Sequence, residues 1–360
     1  MDKKKVLVGL SGGVDSSVAA YLLMQQGYEV TGVTMRTWCE DGDDHVEKSI
    51  ADAAMVAKHL GIPHVVVDFR EAFHRCIIED FIEEYKACRT PNPCIRCNRY
   101  IKWEALLSKA KEMGFDYIAT GHYARIIKTS EGRLAVADAV TPVKDQTYAL
   151  YLLTQQQLAQ TLMPVGEYQK EEIRRIAAEA KIPVADKADS QDICFIPDGD
   201  YAAFIKRNVS QPLPGEGNFV DREGNVLGRH KGLIHYTIGQ RKGLNLAMGE
   251  PVFVTGLLPD TGEVVIGKNE DVFSGTLRAG QVNAMGIGDF KQPVKCRAKI
   301  RYAHKGADCV VREIAPGEVF VEFEEPQRAI TPGQSVVFYG EQDGVRYVLG
   351  GGVISGGGER

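Results

Sequence analysis

The sequence predicts an α/β protein with a Rossmann-like parallel sheet, a small central domain and a C-terminal antiparallel β-barrel. Short apolar runs alternate with amphipathic helical segments up to about residue 120, whereas the chain beyond residue 215 is rich in glycine, short strands and turn signals. With 360 residues, the chain is also too long for one ordinary core. We expect domains at residues 1–200, 201–275 and 276–360, the first ending in a helical segment.

The first part of the chain reads as repeated strand and helix units. Strands are predicted at 5–10, 28–35, 64–68 and 116–120, and helices at 16–26, 46–60 and 73–85. A further helix should follow the cysteine-containing segment 89–98, and residues 155–188 should be helical. Because the strands are parallel, their carboxyl ends share one edge of the sheet, where such proteins bind ligands.

The segment Ser11–Ser17, SGGVDSS, directly follows the first predicted strand and precedes a helix. Its two glycines allow a tight turn close to an anion, and the helix N-terminus offers unpaired N–H groups. It is neither a Walker A loop nor a G-x-G-x-x-G loop. The alternative is a simple tight turn in which Asp15 or Ser16 is an N-cap. Its position after a strand of a parallel sheet favours a phosphate-binding loop.

Composition and charge bear on location and on cysteine chemistry. The net charge of -5 gives no global argument for binding nucleic acid, and no apolar run approaches the ~20 residues of a membrane helix. The chain passes from Lys3 into a strand without an apolar leader segment. We therefore expect a cytoplasmic protein with no membrane partner, in which the eight cysteines are thiols, metal ligands or catalysts.

Two cysteines stand close together in RTPNPCIRCN, residues 89–98. Cys94 and Cys97 are compatible with a zinc site, a redox pair, iron–sulfur ligands or a reactive thiol. Zinc is disfavoured because a structural site needs four ligands and the sequence has no second Cys-x-x-C. Arginines at 89, 96 and 99 flank Cys97, and a helix should begin near Asn98, so we expect a lowered pKa for the Cys97 thiol.

SGGVDSS resembles the pyrophosphate loop of the N-type ATP pyrophosphatases, the PP-loop superfamily, whose fold is adenine nucleotide alpha hydrolase-like. These enzymes cleave ATP between its α and β phosphates and activate a substrate oxygen as an adenylate. The resemblance implies that Asp15 helps to place Mg²⁺ and that the loop holds the pyrophosphate end of ATP. The residues implied in ATP binding are Gly9, Leu10, Ser11, Gly12, Gly13, Val14, Asp15, Ser16, Met35 and Gly121.

Further segments narrow the resemblance. PNPCIRCN, TGHYAR at 120–125, VKDQTYAL at 143–150 and SQDICFIP at 190–197 are together similar to the tRNA-specific 2-thiouridylases. The likeness continues through IGQRKGL, KIRYAH and ITPGQSVVFY, and so covers almost the whole chain. The family exchanges the oxygen at position 2 of the wobble uridine for sulfur. The implied partners are a tRNA and a sulfur donor or carrier, such as a cysteine desulfurase or a relay protein.

The resemblance also assigns roles to single residues. It implies that Cys97 is the nucleophile and Cys194 the persulfide carrier, paired in a disulfide at the end of the reaction. Without it, Cys194 would be taken for a small buried apolar residue. Asn92, Pro93 and Cys94 would contact the target base. The tRNA contacts implied are His122, Lys144, Asp145, Gln146, Arg301, Tyr302 and Gln334. From the residues alone, His122 could be a satisfied loop histidine and Asp145 a salt-bridge partner.

Cys94 departs from the pattern of the family, in which many members carry Asp at this position. The three thiols Cys94, Cys97 and Cys194 could instead hold a four-iron four-sulfur cluster that delivers sulfide, as in iron–sulfur-dependent thiolases of the same superfamily. Persulfide relay and cluster both remain open at this point. Another PP-loop adenylating synthetase is a further alternative.

Basic residues alternate in KCRAKIRY, residues 295–302. On a strand, Lys295, Arg297, Lys299 and Arg301 would share one face. This pattern is typical of a solvated or edge strand, or of a stripe that binds phosphates. Grouped basic residues in an acidic chain favour the stripe, and a wobble base would have to leave its stack to reach a buried site.

Overall fold

A computed structural model describes residues 3–40, 44–142, 144–187, 193–209 and 213–358. These residues form three β-sheets, and helices cover the first of them. The predicted fold class is confirmed, with a parallel sheet followed by an antiparallel barrel. Within the described ranges, no helix is long and apolar enough to cross a membrane.

The first sheet has five parallel strands, with β1 at its centre. The strands, in chain order, are β1 (Lys5–Gly9), β2 (Glu29–Arg36), β3 (His64–Asp68), β4 (Tyr117–Ala119) and β7 (Thr161–Leu162), and their spatial order is β3-β2-β1-β4-β7. Val6, Leu7 and Val8 of β1 are fully buried because helices pack on both faces of the sheet.

Helices surround this sheet, and two of them contain a π-helical stretch. They are α1 (Val14–Gln25), α2 (His45–Leu60), α3 (Arg70–Phe73), π1 (His74–Glu79), α4 (Asp80–Lys86), α5 (Pro93–Cys97), π2 (Asn98–Ala105), α6 (Leu106–Glu112), α7 (Gln155–Ala159), α8 (Lys170–Glu179) and α9 (Tyr201–Asn208). Segments α3, π1 and α4 run on without a break, as do α5, π2 and α6. Short 3₁₀ turns lie at 147–150, 164–167, 233–235 and 270–272.

Most of the expected helical and strand segments are found, with two corrections. The helix near the cysteines begins at Pro93 and therefore contains both Cys94 and Cys97, rather than starting at Asn98. The stretch predicted as helical from 155 is interrupted by β7, which pairs with β4 and completes the sheet. A two-residue strand has no periodicity that the sequence could reveal. Ala188, at the end of that stretch, lies outside the described residues.

The central sheet has four strands in the order β10-β11-β8-β9. They are β8 (Gly217–Val220), β9 (Val226–His230), β10 (Phe253–Leu258) and β11 (Glu263–Gly267). Phe219, Tyr236 and Val254 are buried in its small core.

Six strands close the C-terminal barrel, since β12 pairs with both β15 and β17. They are β12 (Phe273–Ala284), β13 (Val294–Lys299), β14 (Ala307–Ala315), β15 (Glu318–Arg328), β16 (Ser335–Gln342) and β17 (Val345–Gly357). A hairpin from the first half of the chain, β5 (Ala124–Lys128) and β6 (Leu134–Asp138), joins this sheet through the pairing of Ala137 with Tyr347. The first half of the chain is thereby tied to the barrel, and the domain limits at residues 200 and 275 stay a prediction.

Candidate active site

The predicted phosphate loop lies between β1 and α1, at the carboxyl edge of the parallel sheet. Gly12 has φ +68, and a Cβ there would lie 2.8 Å from the Ser49 carbonyl oxygen, so a larger residue does not fit. The Ser11 N–H donates to Ser16 Oγ at 3.2 Å, and Ser17 Oγ donates to the Gly13 carbonyl oxygen at 2.7 Å. The loop is therefore a tight turn against the start of a helix, the arrangement that cradles a phosphate.

Asp15, in the first turn of α1, has two donors on one carboxylate oxygen. Lys170 Nζ and the Tyr123 hydroxyl each lie 2.7 Å from Asp15 Oδ1. Lys170 begins α8 and is buried, although it is far from the loop in sequence. Sequence reasoning missed Lys170, because a lysine at a helix N-terminus carries no signal of a distant carboxylate partner.

Gly121 packs directly on the start of α1. A Cβ at this position would lie 2.6 Å from the Ser16 backbone nitrogen. Met35, near the carboxyl end of β2, is partly buried between two apolar clusters. The residues predicted to line ATP therefore belong to the ends of three neighbouring strands, β1, β2 and β4.

Two thiols lie in the helix that follows Asn92. The Asn92 side chain caps this helix by accepting a hydrogen bond from the Ile95 N–H at 3.4 Å, and Pro93 occupies the first helical turn. Cys94 is exposed and Cys97 is half-buried. The helix N-terminus and its cap thus fix the positions of both sulfur atoms.

The arginines around Cys97 are occupied by other partners. Arg89 binds Glu84, Arg96 binds Asp80, and the Arg99 guanidinium donates to the Leu152 carbonyl oxygen at 2.8 Å. The expectation that they lower the pKa of the Cys97 thiol is wrong. Burial raises that pKa, and the cation that opposes burial is Lys102. Neighbouring charges in a sequence do not reveal which carboxylates already pair with them.

Cys194 lies near the other two thiols, despite its distance in sequence. Burial raises the pKa of its thiol to about 12, and Cys97 and Cys94 add to the increase. Its side chain is exposed on one side, but the protein around the rest of the sulfur still disfavours the thiolate. Cys94, Cys97 and Cys194 therefore interact electrostatically with one another. Ser190, Gln191 and Asp192, which precede Cys194 in its motif, lie outside the described residues.

The same three thiols were the candidate ligands for an iron–sulfur cluster, and Asp15 for Mg²⁺. Among the residues that the structure describes, no group of three or more His, Cys, Asp or Glu side chains is arranged to hold a metal ion. As they are placed here, the thiols do not fit a cluster site.

The residues predicted to contact tRNA from the first half of the chain lie around Tyr123. His122 Nδ1 is 2.8 Å from Thr120 Oγ1, and burial holds its pKa well below the usual range, so the ring is neutral at pH 7. Gln146 Oε1 accepts from the Tyr123 N–H at 2.7 Å, and the Lys144 ammonium lies 5.9 Å from the centre of the Tyr123 ring. Val143, the first residue of that motif, lies outside the described residues.

Asp145 is part of an ion-pair network between the hairpin and the barrel. Its Oδ2 lies 2.7 Å from an Arg346 nitrogen and 3.6 Å from Lys299 Nζ. This arrangement agrees with the salt-bridge alternative for Asp145.

The barrel contributes three further predicted tRNA contacts. Tyr302 is 49% exposed, and Arg301 donates to the Arg328 carbonyl oxygen at 3.0 Å. Gln334 donates to the Thr90 carbonyl oxygen at 2.9 Å, just before the cysteine helix. The barrel thus reaches the segment that carries Cys94 and Cys97.

The expected basic stripe on β13 is only partly present. Lys295 and Arg297 are exposed, but Lys299 is 8% exposed and pairs with Asp145. β13 pairs with β14 and with β16, so it is not an edge strand. The alternation of the sequence continues to Lys299, where Asp145 and Tyr148 cover the strand, which is why the prediction fails there.

A phosphate loop at the carboxyl edge of a five-stranded parallel sheet is the arrangement of the PP-loop class of nucleotide-binding enzymes. Three family models match in succession: a tRNA methyl transferase HUP domain over residues 4–198, a tRNA methyl transferase PRC-barrel domain over 202–268, and an aminomethyltransferase beta-barrel domain over 274–354.

Curated relatives match over nearly the full length. A tRNA-specific 2-thiouridylase MnmA of Lachnoclostridium phytofermentans is 54% identical, and one of Clostridium kluyveri is 52% identical. Each alignment covers 98% of this chain and 99% of the relative. The chain belongs to the tRNA-specific 2-thiouridylase family. A solved 4-thiouridine synthetase–RNA complex with bound ATP is 18% identical, with a TM-score of 0.37, over 57% of this chain and 50% of that one.

Proposed function

We propose that the chain is an ATP-dependent tRNA-uridine 2-sulfurtransferase. It replaces the oxygen at position 2 of the wobble uridine with sulfur in tRNAs for lysine, glutamate and glutamine. The observation that carries this proposal is a tight glycine loop after β1 in a chain whose Cys94, Cys97 and Cys194 interact electrostatically with one another. Membership of the thiouridylase family at 54% identity supports the same reaction.

The first half of the reaction is adenylation of the uracil oxygen. A carbonyl oxygen is a poor leaving group, so its attack on the α-phosphate of ATP, with loss of pyrophosphate, makes it one that can depart. We propose that residues 9–16 bind the phosphates, that Met35 and Gly121 line the nucleotide, and that Asp15 contacts the Mg²⁺ that enters with ATP. The close packing of Gly121 on the start of α1 supports a site at this edge of the sheet.

The second half transfers sulfur. The terminal sulfur of a persulfide on Cys194 attacks carbon 2 of the adenylate, and AMP leaves with the former uracil oxygen. The Cys97 thiolate then attacks Cys194 Sγ. The bond between the two persulfide sulfur atoms breaks, and its electrons stay with the sulfur now on carbon 2. The products are 2-thiouridine and a Cys97–Cys194 disulfide, which a thiol reductant must reduce before the next turnover.

Loading of the carrier requires the thiolate of Cys194, whose thiol has a pKa of about 12 and is almost entirely protonated at pH 7. The Cys194 thiolate attacks the terminal sulfur of a donor persulfide, the sulfur–sulfur bond of the donor breaks, and the donor departs as a thiolate. We therefore propose that loading includes deprotonation of Cys194. We propose a cysteine desulfurase or a relay protein as the donor. Because its tRNA substrate is found there, we expect the enzyme in the cytoplasm.

We propose tRNA contacts in two regions, the start of the cysteine helix and the barrel surface around Tyr302. Asn92, Pro93 and Cys94 lie beside the thiols and would meet an extruded uridine. Tyr302 is exposed on one side. Burial of the rest of the side chain raises the pKa of its hydroxyl, and Asp145 and Cys94 raise that pKa further. We propose that Arg301 and Tyr302, with His122, Lys144, Asp145, Gln146 and Gln334, surround the anticodon arm.

The iron–sulfur route would use the same three thiols and remains the chemical alternative. Among the described residues, the thiols do not form a metal-binding group, which disfavours this route. Purification without oxygen distinguishes the routes. Iron-free protein that is fully active with a persulfide donor supports the relay, and activity that tracks bound iron contradicts it.

Single cysteine substitutions test the proposal. Cys97→Ser and Cys194→Ser should each lower 2-thiouridine formation at least about 1000-fold, because each removes a sulfur from the relay. Both should still release pyrophosphate when tRNA is added, since adenylation precedes sulfur transfer. Cys296→Ala, in the apolar cluster of the barrel, is the matched control and should stay active.

Two other outcomes would identify rival functions. Unchanged activity in both serine variants would indicate an adenylating synthetase that acts on another substrate. Binding of ATP without release of pyrophosphate on addition of tRNA would indicate a nucleotide-binding sensor.

A further inference from the structure

Lys102 follows the cysteine pair on the same continuous helix, in the π-helical stretch π2. A π-helix hydrogen-bonds residues five apart, so Lys102 lies over the same face of the helix as Cys97. In a regular α-helix, a separation of five residues would turn the two side chains about 140° apart. The π-helical geometry therefore directs this lysine towards the thiols.

The surroundings of Lys102 contain thiols and an imidazole in place of carboxylates. It lies between Ile101 and Trp103, which are both buried, and is itself half-buried. Within the part of the chain that the structure describes, its ammonium makes no hydrogen bond or ion pair, whereas Lys109, one turn on from π2, binds Glu112 at 3.0 Å. A half-buried cation without an anion is unfavourable, so an anion is expected to bind here during the reaction.

Several elements contribute titratable groups around this lysine. It acts electrostatically on Cys94, Cys97, Cys194 and His122, and lowers the pKa of all four. Tyr302 of the barrel also interacts electrostatically with Cys94. The arginines nearest in sequence are engaged elsewhere, Arg96 with Asp80 and Arg99 with Leu152 and Glu104. Lys102 is the cation that all three thiols share.

We propose that Lys102 is the counter-ion of the sulfur anions in this site: the thiolate of Cys97 and the terminal sulfur of the persulfide on Cys194. The part that concerns the persulfide rests on the proposed function, whereas the part that concerns the Cys97 thiolate does not. Lys102 stabilises the attacking form of Cys97 at the moment when the disulfide with Cys194 forms. It does so where burial alone would keep the sulfur protonated.

Alkylation of Cys97 tests this role without ATP or tRNA. The Cys97 thiolate displaces iodide from iodoacetamide, and peptide mass spectrometry follows the product between pH 6.5 and 10. Lys102→Met should slow the reaction about 10-fold at pH 7.5 and shift its pH profile upward by about one unit, since loss of a neighbouring positive charge raises the pKa of a thiol. Lys102→Arg keeps the charge and should restore most of the rate.

Lys111→Met is the matched control, because Lys111 is an exposed lysine on the following helix α6. It should react like the unsubstituted protein. Lys102→Gln provides a second neutral variant if the methionine variant does not fold. A neutral variant that folds and keeps both the rate and the pH profile of the unsubstituted protein would overturn the proposal.

Pyrophosphate release and 2-thiouridine formation, measured beside alkylation, distinguish a role of Lys102 at sulfur from a role at phosphate. If Lys102→Met leaves alkylation unchanged but abolishes pyrophosphate release, the lysine binds a phosphate and the assignment to sulfur is wrong. If alkylation responds as expected while the unsubstituted protein makes no 2-thiouridine with any donor, the proposed function fails and the thiolate contact stands.

Discussion

Burial outweighs nearby positive charge at the thiols of this site. Cys194 illustrates the balance, because protein atoms raise the pKa of its thiol to about 12 even though Lys102 lowers it. Cys97 also has a raised pKa, despite three arginines close by in sequence. Reactivity in this site therefore depends on which cations are left unpaired, and not on how many are near.

The raised pKa of Cys194 has a measurable consequence. Below its pKa, the thiolate fraction of a thiol increases tenfold per pH unit, so the alkylation rate of Cys194 should rise about 10-fold per unit from pH 7 to 10 without a plateau. Mass spectrometry of the Cys194 peptide measures this rate. A plateau below pH 9 would mean that the thiol is not desolvated as described.

At the scale of elements, contacts between the strand ends determine the shape of the ATP site. The loop after β4 lies so close to the start of α1 that Gly121 has no room for a side chain. Gly121→Ala should therefore displace the phosphate loop and weaken ATP binding at least about 10-fold. Isothermal titration with ATP measures the effect.

Gly275→Ala serves as the control for this substitution, since a Cβ at Gly275 would meet no atom within 4 Å. Equal affinity for ATP in the two alanine variants would contradict the close packing of Gly121.

The elements themselves were largely predictable, and the reasons for the exceptions are physical. Apolar periodicity identified the parallel sheet and the buried face that includes Phe73, Ile77 and Phe81. Periodicity of 3.6 residues cannot reveal a π-helix, so the position of Lys102 relative to Cys97 could not be predicted. The motif resemblance predicted that Cys97 and Cys194 act as a pair. The contact of Lys170 with Asp15 could not be predicted, because it depends on tertiary packing alone.

At the scale of the whole molecule, the hairpin of β5 and β6 connects the ATP site to the barrel. Arg346 on β17 donates to Asp138 at 3.0 Å and to Asp145 at 2.7 Å, and so holds two carboxylates together. Thr90, just before the cysteine helix, donates its N–H to the Pro332 carbonyl oxygen at 2.8 Å. The barrel therefore supports both the hairpin and the helix that carries the thiols.

Removal of Arg346 should loosen this connection in a pH-dependent way. In Arg346→Met the two partly buried carboxylates face each other, and the loss of stability should be about 2 kcal/mol at pH 8. Burial raises the pKa of Asp138 above its usual value, and the negative charge of Asp145 raises it further. The free energy of unfolding therefore falls as the pH rises through the pKa of Asp138. The defect should therefore shrink near pH 4.

Thermal unfolding at the two pH values measures the defect, with Arg278→Met, an exposed arginine on β12, as the control. A loss of stability that is the same at pH 4 and pH 8 would contradict the account of the carboxylate pair.

The central claim is that sulfur passes from Cys194 to tRNA while Cys97 closes a disulfide. A single turnover of protein carrying a labelled persulfide on Cys194, mixed with ATP, Mg²⁺ and unmodified tRNA, tests it most directly. We predict one labelled 2-thiouridine for each persulfide consumed, together with an equal amount of Cys97–Cys194 disulfide. Labelled 2-thiouridine that forms while Cys97 remains a free thiol would contradict the account.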